Sequence, residues 1–408
     1  MRITMVTRQY WPAVGGVERV VENLGRAYLE RGHDAKVVAQ CVDELHFGRM
    51  THIIRERKIF DPFTHEGMPV AQFRPSRRRR ALLLPLAAEL VPFGGRVSNR
   101  WLRAYAARYY AAVVRDLLEP LIADADVVHV LGSNMLAVAA VSSAHALGKP
   151  AAISPFAHLG EWGDDSASIS AYNDADALIA TTRADADAYA SLGVERSKIH
   201  IAGLPVPDAS AGLELPDTLP LPGEAPVVLF LGQRRPTKRF ELVLGAAEAV
   251  WERHPDALFA FVGPGRPLSA SDPRILDVGR VSDAERAAWL NRATMLCLPS
   301  QSETFGMVVA EAWTQRLPVV VSDIPTLREL VEDSGGGLVA GNDAASFATA
   351  ISAMLDDRAR TVALGRAGYE YWHARLTPGA VAERHLAVYE QMICERRDGA
   401  AGRSSAIT

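Results

Sequence analysis

Two glutamates eight positions apart, Glu303 and Glu311, are the side chains of this sequence best placed to do chemistry. They lie in the stretch Leu298-Pro299-Ser300-Gln301-Ser302-Glu303-Thr304-Phe305-Gly306-Met307-Val308-Val309-Ala310-Glu311-Ala312-Trp313, which reads as the end of a buried strand followed by a helix start. Thr304 is of the type that caps a helix, here one running from Phe305, and the first free N–H groups of such a helix attract an anion. Eight helical residues rise about 12 Å, a span similar to that between the ribose and the hexose of a sugar nucleotide. One carboxylate could meet each sugar, with the diphosphate between them.

A positive counterpart follows the apolar run Leu229-Phe230-Leu231-Gly232, where Arg234, Arg235, Lys238 and Arg239 place four cations within six residues. Arginine offers a planar fork and lysine a point charge, so both suit a diphosphate whose charge grows as it leaves. A solvated basic loop has the same composition; position at a ligand crevice separates the two readings. Gly15 and Gly16, between the first apolar run and a helix from Val17, would let a phosphate or sugar approach the backbone. A tight turn would use them equally, and there is no Gly-x-Gly-x-x-Gly fingerprint. His158, in Ser154-Pro155-Phe156-Ala157-His158-Leu159-Gly160-Glu161-Trp162-Gly163-Asp164, is a candidate sugar contact, against the plainer reading of a structurally satisfied imidazole. Glu161, Trp162 and Asp164 are further candidates on the same loop. The Asp-Ala-Asp triplets at 124–126, 174–176 and 185–187 have the residue types that chelate Mg2+ or Mn2+. The first two, however, immediately precede apolar strands, and the third opens a helix, where a carboxylate suits the dipole. A structural role is assigned to all three, and no metal site is expected.

The elements that must position these groups follow from hydrophobic patterning. Short continuous apolar runs alternate with helical stretches at Ile3 to Thr7, Ala35 to Ala39, Val70 to Phe73, Val127 to Leu131, Ala151 to Ser154, Leu178 to Thr181 and Ile199 to Ala202. Buried strands separated by helices predict an α/β, doubly wound parallel sheet. The first domain is expected over 1–205, and a proline-rich linker over 206–226. The alternation resumes with Val227 to Leu231, Leu258 to Val262, Met295 to Leu298, Val319 to Ser322 and a short strand near Leu338. This predicts a second Rossmann-like domain over 227–379, a helix over 380–396 crossing back to the first domain, and a disordered tail over 397–408. Two such domains facing across a cleft would bring the carboxyl ends of both sheets to one ligand site.

Composition narrows the partners. The 408 residues suit two domains, and 49% apolar with 23% charged residues is ordinary for a globular chain. A net charge of −4 gives no general reason to expect nucleic acid. Cys41, Cys297 and Cys394 lack metal-ligand spacing and fit a reducing cytoplasm. The N-terminal apolar run is too short for a signal peptide, and no apolar stretch reaches bilayer-spanning length. The run Arg77-Arg78-Arg79-Arg80 before the apolar Ala81 to Ala88 could touch an anionic leaflet at the inner membrane face or an acidic acceptor. A solvated face would look the same.

Taken together these residues resemble the GT-B glycosyltransferases of family 4, the retaining group that includes sucrose synthase-like and mannosyltransferase enzymes. The resemblance covers nearly the whole chain: Gly15-Gly16, Gly32-His33, Ala125-Asp126-Val127-Val128-His129, the Gly232 to Lys238 loop, Gly263-Pro264-Gly265 and, most specific, Glu303 to Glu311. It implies that Glu303 contacts the donor hexose on the reacting face and that Glu311 bonds the ribose hydroxyls. Backbone N–H groups near Phe305 and Gly306, between Thr304 and Met307, would hold the diphosphate. Arg234 and Lys238 would be its cationic pair, His158 the sugar-contacting histidine of the first domain, and Gly263 and Val281 part of the donor pocket. Gln233 stands where members commonly carry arginine, so Arg234 or Arg235 must substitute. The implied activity is metal-independent hexosyl transfer with retention, from a UDP-sugar in the first instance and a GDP-sugar next, with no cofactor beyond that co-substrate. The acceptor is left open among natural products, lipid-linked glycans and polysaccharides. A non-hydrolysing UDP-sugar 2-epimerase and a non-catalytic nucleotide-sugar-binding protein are the competing readings.

Overall fold

Strands form where apolar runs are continuous, because both faces of a parallel sheet are covered by helices. In the computed structural model, which describes residues 1–13, 15–41, 61–73, 100–208, 223, 225–269 and 272–405, the strands gather into two sheets. The first contains β1 (Arg2–Gln9), β2 (Asp34–Cys41), β3 (Phe63–His65), β4 (Met68–Gln72), β5 (Val127–Leu131), β6 (Ala151–Ser154), β7 (Ala177–Ala180) and β8 (Ile199–Ile201). Its order is β3-β4-β2-β1-β5-β6-β7-β8, parallel throughout except for the β3–β4 pair. Every residue of β5, β6 and β7 is buried, which is why these strands show no alternation in the sequence.

The second sheet contains β9 (Val227–Leu231), β10 (Leu258–Val262), β11 (Ile275–Gly279), β12 (Met295–Leu298), β13 (Val319–Ser322) and β14 (Gly337–Ala340). Its order is β11-β10-β9-β12-β13-β14, all parallel. Renumbered within the sheet this is 3-2-1-4-5-6, the doubly wound order whose direction reverses between β9 and β12 and whose ligands bind at the carboxyl ends beside that reversal.

The chain divides into two units, Met1–Pro205 with Val381–Thr408, and Val206–Ala380. The last helix, Pro378–Ser405, runs past residue 396, where the sequence suggested a stop. Most of 206–226 lies outside the described residues, as does Arg77-Arg78-Arg79-Arg80. Among the described residues no helix is long and apolar enough to cross a membrane.

Polar groups fix the last helix to the first sheet. The Tyr389 hydroxyl lies 2.7 Å from Nδ1 of His129 on β5 and 3.0 Å from the Tyr28 hydroxyl, and Nε2 of His129 lies 2.9 Å from Oγ of Ser154 on β6. Arg384 donates to the Ala202 carbonyl, and Arg396 pairs with Asp176. Asp176 also accepts the Ala151 N–H, while Asp126 accepts the N–H and guanidinium of Arg2 and Asp124 pairs with Lys36. Asp124, Asp126 and Asp176 therefore tie the starts of nearby interior strands together.

Candidate active site

The carboxyl ends of β9 and β12 carry the two loops that hold most of the expected donor residues. Val228 pairs with Met295 and Leu229 with Leu296, so the two strands are registered side by side. Beyond them the loops are stitched together by the Gln301 N–H to the Thr237 carbonyl at 2.8 Å and by Arg239 Nε to the Pro299 carbonyl at 3.1 Å. Lys238 closes a short turn, Pro236–Lys238. Its ammonium meets Oε1 of Glu303 at 2.5 Å, and Oγ of Ser300 donates to the same oxygen at 2.8 Å. Ser300 is held in turn by its carbonyl, which accepts from the Ser322 hydroxyl at the end of β13. The proposed phosphate cation and the proposed hexose carboxylate thus pair with each other.

The helix after β12 is Met307–Thr314, two residues later than the Thr304 cap and Phe305 start expected from sequence. Gly306 is its N-cap in the left-handed region at φ 84°, and a Cβ there would lie 2.7 Å from Leu327 Cδ2. Only Met307 to Glu311 is therefore helical, four steps and about 6 Å of rise, and the rest of the Glu303 to Glu311 span is loop. Glu311 is only 8% exposed. Arg286 faces it with both terminal nitrogens, Nη1 donating to Oε1 at 2.9 Å and Nη2 pairing with Oε2. Arg286 belongs to the helix Asp283–Arg292, fixed at its start by a capping box between Ser282 and Glu285. Val281 precedes that cap, following the end of β11 at Gly279.

Arg234 stands apart from Lys238 in its environment. Its side chain is 3% exposed, with Nη1 2.6 Å from Oδ1 of Asp277 on β11 and Nη2 donating to the Gly263 carbonyl at 3.0 Å. Its own N–H donates to the Pro264 carbonyl. This arginine is committed to linking three strand ends, and its charge is already met by a carboxylate. The Gly263 backbone packs so tightly on the preceding loop that a Cβ would fall 2.0 Å from the Gly232 carbonyl oxygen.

Gly15, Gly16 and His158 belong to the first unit. Gly15 is the N-cap of the helix Gly16–Glu30, after β1. His158 follows β6, its carbonyl accepting the N–H groups of Glu161 and Trp162 and its ring 5.1 Å from that of Trp162. The partners that sequence reasoning missed are Arg286, Asp277 and Ser300. Ser300 lay in the quoted stretch without a role, whereas Arg286 and Asp277 reach their partners across separations of 25 and 43 residues that no spacing rule marks.

A glycosyl transferase 4-like domain model matches residues 15–205, and a glycosyl transferases group 1 model matches residues 225–357. Among curated proteins the chain is similar to D-inositol 3-phosphate glycosyltransferase of Xylanimonas cellulosilytica, 32% identical over 241 residues covering 53% of this chain and 57% of that protein. It is also similar to phosphatidyl-myo-inositol mannosyltransferase of Mycobacterium leprae, 33% identical over 175 residues covering 40% of this chain and 46% of that one. The matched stretches span about half the length of these relatives. Among solved structures, Anabaena HepE in complex with UDP gives a TM-score of 0.68 at 15% identity, covering 96% of this chain and 100% of that one. Sucrose-phosphate synthase from Thermosynechococcus elongatus gives 0.69 at 18% identity, with 97% and 100% covered. These likenesses establish the GT-B fold. With both domain models matched along most of its length, the chain belongs to the group 1 glycosyltransferases of the family 4 type.

Proposed function

We propose that this protein transfers a hexosyl group, with retention of anomeric configuration, from a nucleotide diphosphate sugar to an acceptor hydroxyl, UDP being the favoured nucleotide and GDP the next. The observation that carries the reading is the Lys238–Glu303 pair beside the start of the helix Met307–Thr314, at the reversal of the second sheet. A donor diphosphate would draw Lys238 to itself, joined by the free N–H groups of the helix start. Glu303 would then be released toward the hexose. In the reaction the C1–O bond to the β-phosphate breaks, the C1–O bond to the acceptor forms on the same face, and the acceptor proton passes to the departing phosphate oxygen. Lysine and the helix start supply the positive charge that stabilises the leaving group, so no metal ion is required. Glu311 would take the ribose hydroxyls, with Arg286 orienting it.

Purified protein is incubated with labelled UDP- and GDP-sugars, with thermal shift measured for UDP, GDP, ADP and dTDP sugars. Stabilisation by at least one of them and slow release of free hexose are expected even without an acceptor. Lys238→Ala should lower turnover about 100-fold or more, corresponding to at least about 2.7 kcal/mol at the transition state, with the fold intact and stability lowered by no more than about 1–2 kcal/mol through the unpaired Glu303. No shift with any nucleotide sugar, full turnover in Lys238→Ala, or an epimerised donor as the product would refute the reading.

A further inference from the structure

Two exposed tryptophans of the first unit have no role in the donor chemistry proposed above. Trp162, 44% exposed, lies on the loop after β6, and Trp11, 45% exposed, on the loop after β1. The loop that presents Trp162 is firmly built. The N–H groups of Glu161 and Trp162 both donate to the His158 carbonyl at 2.9 Å. The buried Tyr172 hydroxyl donates to the Gly163 carbonyl at 2.6 Å, and the buried Tyr189 hydroxyl accepts the Ala157 N–H at 3.1 Å. Phe156 holds a φ of 51°, a region that side-chain-bearing residues rarely occupy and that persists only where surrounding contacts enforce it. The outcome of this construction is an open indole. Trp11 is similarly set, one face stacked on the His65 ring at 5.0 Å and 25°.

Only β5 separates β1 from β6, and all three strands are parallel. Both loops therefore leave the same edge of the sheet, from strands about 10 Å apart. The segment that carries Trp162 is acidic. From Pro150 to Thr182 the sequence has neither lysine nor arginine, while Glu161, Asp164 and Asp165 flank the indole. On the Trp11 side, burial raises the Glu18 carboxyl above its ordinary range, and the charge of the nearby Arg8 offsets this only in part. An anion would meet repulsion at Trp162. A neutral pyranose would not, and its C–H faces carry the slight positive charge that the negative face of an indole attracts.

Building on the glycosyl-transfer reading, we propose that Trp162 and Trp11 form the acceptor subsite and that the acceptor is an uncharged saccharide stacked on these indoles. The phosphorylated polyol named for the inositol phosphate relatives would not suit it.

The full-length protein and its Trp162→Ala, Trp162→Phe and Trp11→Ala variants are titrated with methyl glucoside, methyl mannoside, maltose, cellobiose and inositol 3-phosphate. Binding is followed by indole fluorescence and by saturation transfer to ligand ring protons, with and without UDP. UDP affinity is measured separately by calorimetry. At least one neutral saccharide should bind, with saturation strongest on its ring C–H protons. Trp162→Ala and Trp11→Ala should weaken it about tenfold or more, while Trp162→Phe retains most of the affinity and UDP affinity is the same in every variant. Binding of inositol 3-phosphate but no neutral saccharide, failure of every saccharide, or saccharide affinity indifferent to both alanine variants would overturn the proposal. Loss of UDP binding in the unaltered protein would instead overturn the donor reading, and saccharide binding without UDP would still decide the acceptor subsite.

Discussion

Tyr389→Phe removes a single oxygen from a buried polar cluster of the first unit. That oxygen makes two contacts, 2.7 Å to His129 Nδ1 and 3.0 Å to the Tyr28 hydroxyl. Tyr389, His129 and Tyr28 are each fully buried, so water cannot replace what is lost. A protein hydrogen bond contributes about 1 kcal/mol net, and a buried polar group left without a partner costs about 1–3 kcal/mol. Because the ring and its packing are kept, the polar loss alone should destabilise the first unit by about 2–4 kcal/mol. A chain of two units need not unfold in one step, so hydrogen exchange with local resolution is the suitable assay. Protection of the helix from Val381 onward and of β5 should fall by roughly one and a half to three orders of magnitude, while β9, β10 and β12 keep theirs. A change below about 0.5 kcal/mol, or one spread equally over both sheets, would refute the claim that this oxygen anchors the last helix to the first sheet.

The same cluster sets a pH dependence. Burial pushes His385 down to about 4 and His129 well below the ordinary histidine range, so both are neutral when folded. Stability is then complete above about pH 6.5 and is lost as pH falls toward 4, by up to about 3 kcal/mol for His385 alone; urea midpoints between pH 7 and 4 check this, and a flat profile contradicts it. Gly263→Ala places a methyl group 2.0 Å from the Gly232 carbonyl oxygen, where only backbone could yield. It should cost about 3 kcal/mol or more with loss of nucleotide-sugar binding, measured by melting temperature and calorimetry. Arg286→Ala leaves Glu311 mostly buried without its cation. Since Arg286 is itself 25% exposed, screening should limit the destabilisation to about 1–2 kcal/mol, with a raised donor KM and little change in kcat; unchanged KM would remove Arg286 from the donor site.

What the sequence made legible, and what it hid, follows from burial. Strands such as Val227–Leu231 and Leu258–Val262 are apolar at every position because both faces are covered, and runs of that kind are hard to misread. The strand Ile275–Gly279 was missed: it closes one edge of its sheet, none of its residues is fully buried, and Asp277 interrupts it. That omission hid the partner of Arg234, whose side chain, unlike that of Lys238, is almost wholly buried beside its carboxylate. Phe63–His65 escaped for a similar reason, being three residues of antiparallel edge. The helix start near Glu303 was displaced by two residues because a threonine of good capping type preceded it, whereas a left-handed Gly306 packed on Leu327 sets the boundary. Residue type and spacing singled out Glu303 and Glu311 as candidates, while their partners Arg286 and Ser300 required the fold.

Because Val381 onward belongs with residues 1–205, the segment Val206–Ala380 is an insertion within a discontinuous first domain. A gene fragment ending near residue 205 would encode a sheet lacking Tyr389, Arg384 and Arg396, with His129 left facing an empty berth. The inserted segment, in contrast, is a single uninterrupted reading frame that carries Lys238, Glu303 and Glu311 together. If the proposed donor role of that segment holds, exchange of donor preference would be a one-cassette operation with two junctions. Exchange of the other unit would require both flanking pieces to come from the same parent.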